Sequence, residues 1–436
     1  MKINKKEHIF THEGARAKQI DFEQQLRRAV MSCLLWEKEF YEDGEKISRR
    51  IASILPHVNS DMVAKIVLEA KEKMYLRHIP LFIIREMARI EEHKKYVAYL
   101  LEKVIKRADE LSEFLAIYWK DGRQPLSAQL KKGLARAFQK FDAYQLAKYN
   151  RGDAIRLRDV LFLCHAKPKN KEQEQLWERL VKNELFPPDT WEVGLSGGGD
   201  KCEVFTRLLI EGKLGYMAIL RNLRNMADAG VDRELINRAI LARNGAERVL
   251  PFRYVAAAMA CPQFEPAIDK ALVSSIEFGV SFPGKTVVLV DVSGSMEHQI
   301  SLRSDMTRMD AAASLASIIQ GQDVRVFTFS EKTVEVPHRV GMAGVDVIIR
   351  SQPHMCTYLG ACVKFVNDNI HHDRIIVITD EQSHDAIPDP VSSKAYMINI
   401  ASNENGVGYG RWTHIDGWSE NVLRFIHNLE LLARNK

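Results

Sequence analysis

The sequence predicts a multidomain chain: an all-α region followed by an α/β domain built on a doubly wound, mostly parallel sheet. Three observations carry this. Up to about residue 275 apolar residues recur at helical spacing, and strand-like alternation is almost absent. After Ser281-Phe282-Pro283-Gly284 short β-branched runs alternate with helical segments, the pattern of a parallel sheet covered on both faces. The chain has 436 residues, about three times a common single-domain length. The expected boundaries are 1–275 for the helical region and 285–436 for the α/β domain.

In the helical region, amphipathic stretches run over 21–38, 62–74, 80–98 and 213–226. Ser127 is placed as an N-cap, and Leu130, Leu134, Ala137, Phe138 and Phe141 then follow at spacings of three and four. The opposite face carries Lys132, Arg136 and Lys140, a cationic stripe. Many short helices in series suggest stacked pairs, without a clean sequence period. Breaks are expected at 120–125 and 187–199. The second ends GLSGGGDK, which is not a phosphate loop: the position where Lys is required holds Asp200, and no apolar strand leads in. A flexible loop is the reading it supports.

In the second domain the strand runs are Thr286–Val290, Val324–Phe329, Arg374–Thr379 and Ala395–Ile400. Helical segments cover Ser301–Gln320, Thr357–Asn369 and Glu420–Ala433. About 155 residues suffice for one core.

Composition bounds the function. Hydrophobic residues make up 46% and charged residues 27%, which excludes a mostly disordered, collagen-like or disulfide-scaffold chain. The first residues lack an apolar core of the kind a secretory signal needs, and no run approaches a membrane span. Six cysteines lie far apart with no CxxC pair, so a cytoplasmic location is expected and a zinc or redox motif is not. The net charge of +5 is uneven: residues 281–436 carry −4 and residues 1–280 carry +9. An anionic partner such as nucleic acid would therefore be sought on the helical region; a solvated helical surface is the plainer alternative.

The run TVVLV leads straight into Asp291-Val-Ser293-Gly-Ser295. Ligands of doubly wound sheets bind beyond the carboxyl ends of strands, where this motif falls. RIIVIT ends in the same manner at Asp380, and Thr357 precedes a helix between the two. Two carboxylates and three hydroxyls form an oxygen donor set suited to Mg²⁺ or another divalent cation. Asp and Ser are also common in turns and caps, so DxSxS alone is weak. In this order the residues resemble the metal-ion-dependent adhesion site of the von Willebrand factor A family. Asp291, Ser293 and Ser295 fit its first loop, Thr357 its second and Asp380 its third. The resemblance implies an open metal position filled by a partner's carboxylate. His298, His354 and His384 lie near these loops, but nothing in the sequence aims them at a metal, so the site reads as binding and the chain as no enzyme.

The densest basic signal is Lys148-Tyr149-Asn150-Arg151, followed by Arg156, Arg158 and the run RDVLFLCHAKPKN with His165, Lys167 and Lys169. Lys and Arg neutralise phosphates, and His165 can stack on a base or donate to a phosphate. Val160, Leu161 and Leu163 would anchor the helix, and Pro168 would end it. A helix end with cations favoured by the macrodipole is the plainer reading. The run resembles a segment of the TROVE module, as do Arg77-His78-Ile79-Pro80, Gly122–Leu126 with Lys131-Lys132-Gly133, and Leu220–Met226. Their order, followed by the A domain, is similar to the Ro ribonucleoprotein family in a compact bacterial form. The resemblance implies a ring of HEAT-like helical repeats closed by the A domain. It also implies Y-type noncoding RNA and the ends of misfolded RNA as partners, and a protein partner such as an exoribonuclease at the A domain. By motif match it gives RNA contact to Lys148, Arg151, His165 and Lys167; Lys132, Arg136 and Lys140 are added from the helical stripe alone, and Arg156, Arg158 and Lys169 from the basic run.

Two other readings stay open. One is a protein-interaction adaptor that serves an ATPase complex through its A domain. The other is a metal-dependent nuclease, which lacks the clustered carboxylates that two-metal chemistry needs.

Overall fold

A computed structural model describes residues 21–31, 44–72, 76–150, 154–247, 249, 251–276, 280–300, 305–401, 406–407, 410–416 and 421–434. The chain divides into two compact units, one of residues 45–198 and one of residues 1–44 with 199–436. The predicted break at 187–199 therefore separates units, whereas the helices between 199 and 276 group with the sheet. Helix α1 is Phe22–Met31; it buries Leu26, Ala29 and Val30.

Among its described residues the 45–198 unit contains helices and loops and no strand. Helices α2 to α6 are Gly44–Ile54, Ser60–Glu72, His78–Met87, Lys94–Val104 and Asp109–Tyr118. Helices α7 to α11 are Ala128–Phe138, Ala143–Tyr149, Leu157–Cys164, Lys171–Lys182 and Trp191–Ser196. The predicted stretch 80–98 is thus split between α4 and α5. The 187–199 break is not all loop either: Thr190 accepts a bond from Val193 N–H and starts α11. Ser127 caps α7 as expected, accepting from Leu130 N–H at 3.4 Å. Helix α5 lies against α3, α4 and α7, and α9 lies against α6 and α7. The α5–α7 approach passes through Gly133, where a Cβ would come within 2.8 Å of Leu101 Cβ and 2.9 Å of the Ala98 backbone. That contact gives the Lys131-Lys132-Gly133 segment a physical reason. Arg77 binds both Asp109 and Glu113 of α6.

In the other unit, α12 to α17 are Lys201–Ile210, Tyr216–Arg221, Leu223–Asp228, Arg233–Ala242, Pro251–Ala260 and Glu265–Ile276. The strands are β1 Ser281–Asp291, β2 Gln320–Phe329, β3 Thr333–Val336, β4 Arg374–Thr379, β5 Lys394–Asn399 and β6 Thr413–Asp416. Helices α18 to α21 are Arg308–Ala316, Met342–Ile349, Leu359–Asn369 and Asn421–Arg434. The sheet order is β3-β2-β1-β4-β5-β6, with only β3 antiparallel. Valine and isoleucine runs in β1 and β4 are buried throughout, as a sheet covered on both faces requires. One face packs Val287, Leu289, Phe327 and Val377 against Leu359, Val363 and Val366 of α20. The other meets α18, which α16 and α19 cover in turn. Helix α1 lies against β6 at the sheet's edge.

Candidate functional site

Chain order reverses between β1 and β4, so their carboxyl ends open side by side. Asp291 ends β1 and Asp380 follows β4, both fully buried. Asp291 Oδ1 accepts from Ser293 N–H at 2.9 Å and from its hydroxyl at 2.6 Å, while Oδ2 accepts from the Thr379 hydroxyl at 2.6 Å. Ser295 Oγ lies 3.3 Å from Ser293 Oγ. The second loop is tied to the first, because Gly294 N–H donates to Met355 O at 2.9 Å. It is tied to the third as well: Thr357 O accepts from His384 N–H at 3.0 Å and from Ser383 Oγ at 3.3 Å. All five predicted oxygen-bearing residues thus sit on loops joined by backbone bonds at one sheet edge. Thr357 is buried, and no bond engages its hydroxyl among the described residues.

The electrostatics fit a cation. Burial, and then the nearby Asp380 charge, push the Asp291 carboxyl well above its ordinary range. The Arg308 guanidinium of α18 reaches only to 3.8 Å from Asp380 Oδ2. Asp380 Oδ1 accepts from Gln382 N–H at 3.1 Å. Next to it Glu381 is held at φ 60° with its buried carboxylate 2.5 Å from His414 Nδ1 on β6. His354 Nδ1 bonds Val292 O at 2.8 Å, and His384 Nδ1 takes the Thr357 N–H at 3.2 Å. Both rings therefore brace the loops.

The predicted basic residues lie in the helical unit. Asp159 caps α9 by accepting from Arg156 N–H at 2.9 Å, and Arg158 Nε lies 4.0 Å from Asp159 Oδ1. Helix α9 ends at Cys164, four residues before Pro168, because His165 turns left-handed at φ 52°, ψ 42° and Ala166 N–H returns to Leu161 O. Pro168 is therefore not what stops it. Nor does Leu163 anchor it: Leu157, Val160, Leu161 and Cys164 are buried, while Leu163 is half-buried. His165, Lys167 and Lys169 are exposed on the following loop. Gln139, at the end of α7, holds that loop, donating to Lys167 O at 2.8 Å and accepting from Lys169 Nζ at 3.5 Å. The end of the α7 stripe and the α9 loop thus form one surface.

The stripe itself is not uniform. Lys132 is exposed and unpaired among the described residues, whereas Arg136 lies 3.4 Å from Glu102. Lys140 Nζ donates to the carbonyls of Glu102 and Ile105 and so caps α5. Burial, with Lys106 beside it, pushes that ammonium down to about 8. Lys148 lies 5.9 Å from the rings of both Tyr144 and Tyr149. Arg151 lies outside the described residues. Sequence reasoning passed over Phe162, which is 59% exposed one turn before His165. Its signal was the i, i+3 spacing opposite the buried set.

The TROVE domain family matches residues 182–271, a span that contains Leu220–Met226 but not the segments between 77 and 169. Over 110 residues the chain is 32% identical to telomerase protein component 1 of Mus musculus, covering 24% of this chain and 4% of that protein's length. The crystal structure of the Deinococcus radiodurans Ro protein matches with a TM-score of 0.63 at 14% identity, over 93% of this chain and 99% of that one. The chain thus has the fold of the Deinococcus Ro protein and matches the TROVE domain over residues 182–271.

Proposed function

We propose that the protein is an RNA-binding ribonucleoprotein component. In this reading it holds small noncoding, Y-type RNA and takes the ends of misfolded or structured RNA for quality control. The observation that supports this best is the exposed loop after α9, where His165, Lys167 and Lys169 follow the outward Phe162. Cations there would neutralise phosphates, and the rings would meet unstacked bases. Purified protein should carry RNA, seen as a raised absorbance ratio at 260 over 280 nm, and sequencing that RNA identifies it. Absence of RNA together with no retention on heparin defeats the reading.

The A domain supports a second role beside the first. Asp291, Ser293, Ser295, Thr357 and Asp380 would hold Mg²⁺, which supplies a fixed positive charge for a partner's carboxylate. The partner would be a protein, such as an exoribonuclease acting on RNA the helical unit delivers. Should the RNA test fail, this site leaves an adaptor as the function.

A further inference from the structure

Helix α5 ends in a series of cations and rings drawn from three parts of the helical unit. Tyr99 is 45% exposed, and Lys103 Nζ lies 5.9 Å from its ring centre, one turn on. Lys103 makes no ion pair among the described residues, and Lys106 has only a loose one, 3.9 Å from Glu72. Lys103 and Lys106 both lie close enough to Lys140 to repel its charge. Arg107, the next residue, pairs with Asp109 and stacks 4.9 Å from the Tyr149 ring centre on α8. There Lys148 joins Tyr149 to Tyr144, which is 52% exposed.

Two features of this series select a partner. Three ammoniums are gathered with their charge only partly met: Glu102 and Glu110 offset that of Lys140, Lys106 has one loose partner, and Lys103 has no ion pair among the described residues. A phosphate would meet the remainder. Tyr99 and Tyr144 stand exposed beside the lysines, whereas a plain anion site needs no rings. Alternating phosphate-sized charge and stacking platforms is the chemistry of a single strand whose bases are free. A duplex has its bases stacked inside and cannot use the tyrosines.

We infer that Tyr99, Lys103, Lys106, Arg107, Tyr149 and Tyr144 form a track for a single-stranded RNA segment. Its phosphates sit over the lysines and its bases on the two exposed tyrosines. The inference rests on the RNA-binding reading and extends it to a surface that begins on α5, beyond the loop after α9. The strand need not be specific in sequence, because every base has a π-face.

The test is fluorescence anisotropy with a labelled oligouridylate of about 15 nucleotides, within the range such sites span, over a salt series. Tyr99→Ala should weaken binding about ten-fold with the salt slope unchanged, and Tyr99→Phe should retain it. Lys103→Gln should lower the log–log slope by about 0.7, one phosphate's share on a single strand. An RNA duplex of equal length should not respond to Tyr99→Ala. The substituted side chains, Tyr99, Lys103 and Lys167, are exposed, so melting curves should match the parent's, and Lys140 is left intact as the α5 cap. If Tyr99→Ala and Lys103→Gln bind like the parent while Lys167→Ala is weakened, the track is wrong and the RNA reading stands. If the parent binds no oligonucleotide, both fall. Displacement of the oligouridylate by polyglutamate of equal charge would reduce the track to an anion patch and overturn it.

Discussion

Asp269 Oδ1 accepts the backbone N–H of Met342 at 2.8 Å, so a carboxylate of α17 caps α19 of the sheet domain. A helix N-terminus has unpaired N–H groups, and this one is satisfied from a different layer of the fold. Gly341, just before it, has φ 77°, and a Cβ there would collide with the Asp269 carboxylate. Asp269→Ala should cost about 1 kcal/mol, the usual effect of losing a cap. Gly341→Ala should cost more, since it adds backbone strain to the lost space. Chemical denaturation of the full chain gives both values; a neutral Asp269→Ala would mean water caps α19 equally well.

Gly133 sets two known effects against each other. In an open helix Gly→Ala gains about 1 kcal/mol from propensity. Here the new methyl would meet Ala98 backbone atoms, which cannot move without parting α5 from α7. Overpacking of this kind costs about 1–3 kcal/mol, so Gly133→Ala should be net destabilising. A stabilised variant would show that the two helices slide apart freely.

At the far end of the sheet, Arg374 is fully buried and forks onto Glu430 of α21 at 2.5 Å from both oxygens. Burial alone would raise the Glu430 carboxyl; the Arg374 bonds, with Lys394 at 3.4 Å, outweigh it and hold the group below its ordinary range. The unfolded chain therefore binds the proton more readily, and stability falls as pH drops below about 4.5. Glu430→Gln should flatten that acid limb. Arg374→Leu should cost about 3–5 kcal/mol at neutral pH, because it strands a buried carboxylate. An unchanged acid limb in Glu430→Gln would place the sensitivity elsewhere.

His165 carries separable structural and binding roles. Its left-handed backbone suits glycine, so His165→Gly should leave stability unchanged or raise it by up to about 1 kcal/mol. The same change should weaken RNA binding several-fold, since it removes an exposed ring from the loop after α9. Equal RNA affinity in a stable His165→Gly protein would reduce the residue to a helix stop.

Asp291→Ala removes the carboxylate that organises the loop after β1, the first of the three proposed to hold Mg²⁺. Mg²⁺ should raise the melting temperature of the parent and leave that of the variant unmoved, while RNA affinity stays equal. Mg²⁺ stabilising both proteins alike would refute the assignment of this cluster as its site.

The helical region, the sheet domain and the loop order at the carboxyl ends of β1 and β4 were legible because each is written locally. Helical spacing, β-branched runs and an Asp after an apolar strand need no partner to be read. β3 and β6, four residues each, and α19 were missed, since edge strands that short carry too few residues for a pattern. The Arg107–Tyr149 pair was invisible for another reason. Its members lie on different helices, and only packing brings them within 4.9 Å. Lys140 shows the converse: helical spacing put it on a cationic stripe, but α7 ends at Phe138 and the ammonium serves α5. The grouping of 199–276 with the sheet domain was illegible, because contacts such as Asp269 to Met342 join residues far apart in sequence.

Helix α1 at 22–31 rests on β6 at 413–416. Because the helix precedes its partner strand in the chain, α1 can dock only after β6 has been made and placed. The 45–198 unit lies wholly between them and can complete its own core meanwhile. The burial of Leu26, Ala29 and Val30 on α1 thus goes with a contact of very long sequence separation, the kind that closes late in folding.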